Sequence, residues 1–185
     1  MVISYSEKLE LHYSKLWSPA AGRHKLNKGP VHELPPCFEI LEFQRTKDMK
    51  AYATLCMSES TDPPDDRLEL HLFAPPSGEA VCLTEVLTAT AHYHRTGARL
   101  GLGHTVNFGQ PWLPGSRCTF GLISLPYLDG PELERLAEPE VKFLWLIPVT
   151  EREVAYKRKH GMEALEERFE EAQFNYLDPL RSSVV

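Results

Sequence analysis

The sequence predicts an α+β domain in which a single mixed, mostly antiparallel β-sheet packs against helices. The predicted elements run in the order helix, three strands, helix, strands and helices, instead of alternating strand by helix. Short turn-forming segments join the first three strands, which favours antiparallel pairing. Glu140–Val149 is almost continuously apolar, which is typical of a central strand buried on both faces.

Length and composition favour one domain over residues 1–185 and limit the partners it can have. The chain is 42% hydrophobic and 25% charged, which is ordinary for a folded domain with a real core. Its formal net charge of −6 opposes binding to nucleic acid and to anionic membranes. The longest apolar run, Phe143–Val149, is far shorter than the roughly 18 residues of a membrane helix. We therefore expect a cytoplasmic protein that binds neither nucleic acid nor membranes.

The first third of the chain predicts a helix followed by strands. Ser4 and Glu7 have capping-box spacing at the start of a helix over Ser4–Trp17. Ser18–Pro36 is rich in proline, glycine, histidine and lysine, and indicates an irregular connection. Apolar runs and alternation then predict strands over Phe38–Arg45, Ala51–Ser58 and Arg67–Phe73. The turn-forming cluster Thr61–Asp66 suits an exposed hairpin loop between the last two.

A second helix is predicted over Gly78–Arg95, with Ser77 as its cap and Gly97 as its end. One stripe of this helix has the spacing of buried residues. Its members are Val81, Val86, Leu87, Thr90, Ala91 and His94. The segment Gly101–Trp112 that follows is glycine-rich and partly extended.

The last part of the chain is predicted to be helical after the central strand. Thr150 and Glu153 form a second capping box, at the start of a helix over Glu151–Lys159. The remaining predicted elements are a strand over Arg117–Leu125, a helical turn over Gly130–Glu134 and a helix over Met162–Gln173.

Sequence motifs of enzymes are not found. The chain has no G-x-S-x-G, Walker, H-E-x-x-H or calcium-loop pattern, and its four cysteines show no C-x-x-C spacing. His92 and His94 are two residues apart on a predicted helix, so their side chains diverge by roughly 200°. We expect no catalytic residue, no metal site and no cofactor. The alternative is a hydrolase or metal-dependent enzyme that uses His104 or Cys118.

Several long motifs of mixed composition resemble the bacterial branch of the suppressor of fused domain family over residues 35–185. They are Gly103–Ser116, Ser124–Tyr127, Val141–Glu153, His160–Glu166 and Tyr176–Pro179. The resemblance implies an α+β domain like the N-terminal domain of the animal protein, used for protein binding and without known catalysis. Bacterial relatives are similar to immunity proteins that neutralise toxin domains. In the animal protein a short peptide pairs as an added strand between two domains. Animal members carry an acidic residue where this chain has Gly103 and an aromatic residue near Ala91, so their peptide site is not carried over.

The loop that contains the first motif holds the candidate partner-binding residues. They are His104, Asn107, Phe108, Gly109, Gln110 and Trp112. Asn107 and Gln110 offer amide donors and acceptors, and the two aromatic residues offer large apolar area. Gly103 and Gly109 would let another backbone approach closely. The alternative is that Phe108 and Trp112 are core residues that fix the loop.

The predicted partner is a protein. The glutamates of the last helix form an acidic face, which suits a basic partner through complementary charge. We therefore expect a non-enzymatic interaction module whose partner is a basic protein or a toxin domain. A structural or regulatory subunit that self-associates remains a further alternative, and the sequence leaves the oligomeric state open.

Overall fold

The computed structural model describes residues 3–59 and 67–185. The predicted hairpin loop Thr61–Asp66 lies outside the described residues. The strands are β1 (Gly22–His24), β2 (Glu39–Thr46), β3 (Met49–Leu55), β4 (Leu68–Ala74), β5 (Thr105–Asn107), β6 (Cys118–Ser124), β7 (Arg135–Leu136) and β8 (Val141–Thr150). The helices are α1 (Tyr5–Trp17), α2 (Ala80–Thr96), α3 (Pro131–Glu134), α4 (Glu151–His160) and α5 (Met162–Ala172), with a 3₁₀-helix at Gly29–Glu33.

The strands form one mixed sheet in the order β1-β2-β3-β4-β8-β6-β5, and β7 pairs with β8. The pair β4–β8 is parallel, with Leu70 opposite Leu144. The other pairs within the described residues are antiparallel. The predicted α+β class with a mostly antiparallel sheet is therefore confirmed, and β8 is the central strand that its apolar run predicted.

Helices cover both faces of the sheet, so both sets of alternating strand residues are buried. Leu70 of β4 and Leu144 of β8 share a core with α2, on one face. Phe73 and Phe143 point to the opposite face, where they share a core with residues of α1, α4 and α5. Since each strand sends successive side chains to opposite sides, the alternation seen in the sequence separates two cores here, not a core from solvent.

Both predicted capping boxes are confirmed. The backbone N–H of Glu7 donates to Ser4 Oγ at 3.3 Å, while Ser4 N donates to Glu7 Oε2 at 2.7 Å. At the start of α4, Glu153 N donates to Thr150 Oγ1 at 3.3 Å and Thr150 N donates to Glu153 Oε2 at 2.7 Å. These reciprocal bonds satisfy N–H groups that have no partner within a helix, which fixes where each helix begins.

Two expectations for α2 were wrong. The helix begins at Ala80 after Glu79, with no side-chain cap, so Ser77 is not its cap. Val81 is 64% exposed, whereas Val86 and Leu87 are buried. Five residues correspond to about 140° of helical rotation, so Val81 lies on a different side of α2 from Val86. Gly97 does end the helix, and its N–H donates to Tyr93 O at 2.8 Å.

The connection at residues 18–36 is more ordered than its composition predicted. Strand β1 pairs antiparallel with β2, with Arg23 opposite Leu41, and the 3₁₀-helix follows. A strand of three residues is too short for periodicity to reveal it. In the parts of the chain that the structure describes, no helix has the length and hydrophobicity needed to cross a membrane.

Candidate functional site

Strand β5 lies at one end of the sheet and pairs with β6 on one side. Ile123 N donates to His104 O at 2.9 Å, and Phe108 N donates to Thr119 O at 2.9 Å. Backbone groups alternate in direction along an antiparallel strand. The N–H and C=O groups of Thr105 and Asn107 therefore point away from β6, toward the open edge.

A cleft of about 620 Å³ follows this open edge. Ala89 and Tyr93 of α2 line it beside one face of the sheet, and Phe120 and Arg158 line it beside the other. We call this cleft the edge slot. Neighbouring strands lie about 4.8 Å apart, so the next position in the sheet falls within the slot.

Two of the predicted binding residues, Asn107 and Phe108, line the edge slot. His104, Asn107, Gly109 and Gln110 are exposed. Asn107 Oδ1 accepts a hydrogen bond from Gly109 N at 2.8 Å, so this amide stabilises its own turn. Gln110 Nε2 donates to Glu85 Oε2 at 3.4 Å, which ties the loop to α2.

The two aromatic residues of the loop differ in exposure. Phe108 is half-buried and lines the edge slot, so it remains available to a partner. Trp112 is 1% exposed and belongs to the core beneath α2. For Trp112 the structure shows the core alternative, and a residue buried to this extent offers no contact surface.

Gly103 and Gly109 allow backbone conformations in the loop that other residues rarely adopt. Both have positive φ, at 78° and 72°, and a Cβ atom at either position would meet no heavy atom within 4 Å. The space beside both glycines is therefore open, and the close approach of a partner's backbone there stays a prediction. Glycine is favoured here because other residues rarely adopt this backbone conformation.

The two residues of the enzyme alternative do not come together. His104 lies opposite Ile123, and Cys118 is five residues from Ile123 along β6, a separation of about 17 Å. Cys118 is buried, and burial raises the pKa of its thiol. A protonated, buried thiol far from the imidazole is a poor nucleophile.

Sequence reasoning missed a cluster formed by Cys37, Cys56 and Glu59. One ligand-type atom from each lies within 4.8 Å of the others, the only such group of three among residues 3–59 and 67–185. Cys37 Sγ donates to Glu59 Oε2 at 2.9 Å. Burial raises the pKa of both thiols, so a metal ion would have to displace their protons. The two cysteines are distant in sequence and no spacing motif marks them.

Glu69 and Glu153 are completely buried, and the pKa values of both carboxyl groups are shifted. Burial raises the pKa of Glu69 to about 7, against the opposing hydrogen bonds from Ser58 and Thr54. Burial also acts to raise the pKa of Glu153, but the hydrogen bonds and charge of Arg181 hold it below its usual value. Neither group lines the edge slot.

Comparison with known proteins supports the family resemblance. The family model described as Suppressor of fused protein (SUFU) matches residues 35–182. A SUFU homologue from Neisseria gonorrhoeae is 29% identical with a TM-score of 0.84, and the match covers 98% of this chain and 97% of that one. No curated protein matches.

Two more distant structures share the fold. A chain of the Sufu–Fu complex is 13% identical with a TM-score of 0.72, and the match covers 100% of this chain and 93% of that one. Drosophila Suppressor of Fused is 14% identical with a TM-score of 0.63, covering 96% of this chain and 50% of that one. The chain thus spans about half of the Drosophila protein.

Proposed function

The chain belongs to the suppressor of fused family, and we propose that residues 1–185 act as a single non-enzymatic module that binds a protein partner at the edge slot. The observation that carries this proposal is the open edge of β5. There the outward backbone groups of Thr105 and Asn107 face a cleft with walls on both faces of the sheet.

Strand addition explains why the slot suits a protein. An extended segment would form main-chain hydrogen bonds with Thr105 and Asn107. Its side chains would point alternately to the two sides of the slot and contact the residues that line each side. On one side they would meet Phe108 and Tyr93, the latter 44% exposed, and on the other Phe120 and Arg158. Main-chain bonds supply affinity and the walls supply specificity.

The finer proposal is that this is a bacterial immunity protein, which acts in the cytoplasm by occupying a toxin domain. Its similarity to a Neisseria protein over nearly the whole of both chains supports a bacterial setting. The net charge of −6 supports a basic partner, because opposite net charges speed encounter.

Thr105→Pro and Thr105→Val form a matched pair that tests strand addition. Proline removes the outward N–H of β5 and leaves the hydrogen bonds of His104 and Phe108 to β6 in place. Valine keeps the donor and the strand preference. Each variant is used for affinity capture from native cells, and the captured protein is then purified for a binary binding measurement.

We expect the proline variant to bind the purified partner at least about tenfold more weakly, while the valine variant binds like the wild type. Equal binding by the two variants would exclude the edge slot as the contact. If the partner is a toxin encoded nearby, co-expression with the wild type restores growth and co-expression with the proline variant does not. Failure of the wild type to restore growth would exclude the immunity role but would leave partner binding at the edge slot untouched.

A further inference from the structure

A second cavity lies on the opposite face of the sheet from α2. It has a volume of about 350 Å³ and lies between the C-terminal end of β6, the middle of β8, helix α5 and the segment that follows α5. Five aromatic side chains line it: Tyr127, Trp145, Phe169, Phe174 and Tyr176. The rings of Trp145 and Tyr176 are nearly perpendicular, at 88°, with centroids 5.2 Å apart. We call this cavity the aromatic pocket.

Two glutamates of α5 give the aromatic pocket a negative side. Glu166 and Glu170 both line it, and its lining contains no lysine or arginine among the described residues. Glu166 Oε1 accepts hydrogen bonds from Ser124 Oγ at 3.0 Å and from Tyr127 Oη at 3.2 Å. These bonds hold one carboxylate in a fixed position beside the aromatic rings before any ligand arrives.

The apolar surface continues beyond the cavity. Tyr127 and Leu128 line the aromatic pocket yet remain 58% and 45% exposed. Glu163 and Glu167 extend the acidic surface along the exposed side of α5. A small free cation would fill the cavity and leave this rim uncovered, whereas a polypeptide segment would cover both.

We propose that the aromatic pocket binds a lysine or arginine side chain from a basic segment of a protein partner. The aliphatic part of such a side chain packs on aromatic rings, and its charged end is attracted by ring faces and by carboxylates. An acidic side chain would be repelled by Glu166 and Glu170, and a purely apolar one would gain nothing from their negative charge. The inference rests on the proposed protein-binding role, but it requires nothing of the edge slot.

The test uses two end-blocked peptides that differ in charge. One has two lysines flanked by leucines, and the other has norleucine in place of each lysine. Binding is followed by NMR as shifts of the Trp145 indole N–H and of the backbone amides of α5. The variant Glu166→Gln/Glu170→Gln removes both charges while its amide oxygens can still accept hydrogen bonds. Glu163→Gln/Glu167→Gln is the matched control, because it removes the same charge from α5 outside the pocket.

We expect the lysine peptide to shift the signals around the pocket and to bind the Glu166→Gln/Glu170→Gln variant roughly tenfold more weakly than the wild type. The control variant should bind within about twofold of the wild type, since neither Glu163 nor Glu167 lines the aromatic pocket. Equal binding of the norleucine peptide, an unaffected pocket variant, or no binding by the wild type would overturn the proposal.

Thr105→Pro separates this proposal from the edge slot. That variant should bind the lysine peptide normally even though it no longer holds the protein partner. Loss of partner binding with an intact peptide response would show that Thr105→Pro affects the edge slot and leaves the aromatic pocket unchanged. A lost peptide response in Thr105→Pro would show that the two sites are not independent, and would overturn the pocket as argued here.

Discussion

The ring of Phe108, the residue that follows β5, is in close contact with Gly121 of β6. A Cβ atom added at Gly121 would lie 2.6 Å from Cζ of Phe108 and 2.5 Å from Cδ1 of Leu146. Real Cβ atoms do not approach other carbons so closely, so the contact requires glycine. The absence of a side chain at Gly121 lets the Phe108 ring lie against the sheet and form part of the edge slot.

Gly121→Ala should therefore destabilise the fold. Overpacking of a well-packed site costs about 1–3 kcal/mol in the free energy of unfolding, which urea denaturation measures. Gly101→Ala is the control, because a Cβ atom at Gly101 would meet nothing within 4 Å. An unchanged unfolding midpoint for Gly121→Ala would contradict this contact.

Trp112→Ala tests the burial of the loop aromatic. Removing a side chain that is 1% exposed should lower the free energy of unfolding by about 3–5 kcal/mol. Gln110→Ala, two residues away and exposed, should change it by less than about 0.5 kcal/mol. If Trp112→Ala instead weakened partner binding at full stability, Trp112 would belong to the contact surface and not to the core.

Glu69 should make stability depend on pH. Burial raises its pKa from 4.5 to about 7, so between these values the folded protein holds a proton that the unfolded chain has released. The contribution of Glu69 is greatest below pH 4.5 and is lost as the pH rises toward 7. Urea denaturation at a series of pH values should show this loss in the wild type and not in Glu69→Gln. Parallel pH profiles for the two proteins would be inconsistent with the raised pKa.

Loss of the buried ion pair between Arg181 and Glu153 should lower the free energy of unfolding far more than loss of an exposed ion pair. Arg181 Nη1 and Nη2 lie 2.6 Å and 2.9 Å from the two oxygens of Glu153, which is completely buried. Arg181→Met leaves a buried carboxylate without its partner and should cost about 3–5 kcal/mol in the free energy of unfolding.

Arg168→Met is the matched control for this ion pair. Arg168 pairs with Glu171 at 2.6 Å, but the two side chains are 49% and 65% exposed. Its loss should cost less than about 1 kcal/mol. Similar costs for the two methionine variants would show that burial does not govern the strength of these pairs.

Local patterns in the sequence predicted most of the helices and strands correctly. Ser4 and Glu7 predicted the start of α1, and Thr150 and Glu153 the start of α4, because capping depends on residues three positions apart. The continuous apolar run that ends at Val149 predicted a strand with neighbours on both sides, as β8 has. Each of these signals is contained within a few residues and follows from backbone geometry alone.

The tertiary structure alone decided which patterned residues meet and which remain exposed. The parallel pairing of β4 with β8 joins segments about 70 residues apart, and no local pattern specifies it. The burial of Trp112, the half-exposure of Phe108 and the meeting of Cys37 with Cys56 likewise depend on how distant elements pack. Periodicity predicts that one face of a helix or strand is buried. Which residues pack against that face depends on how all the elements of the fold pack together.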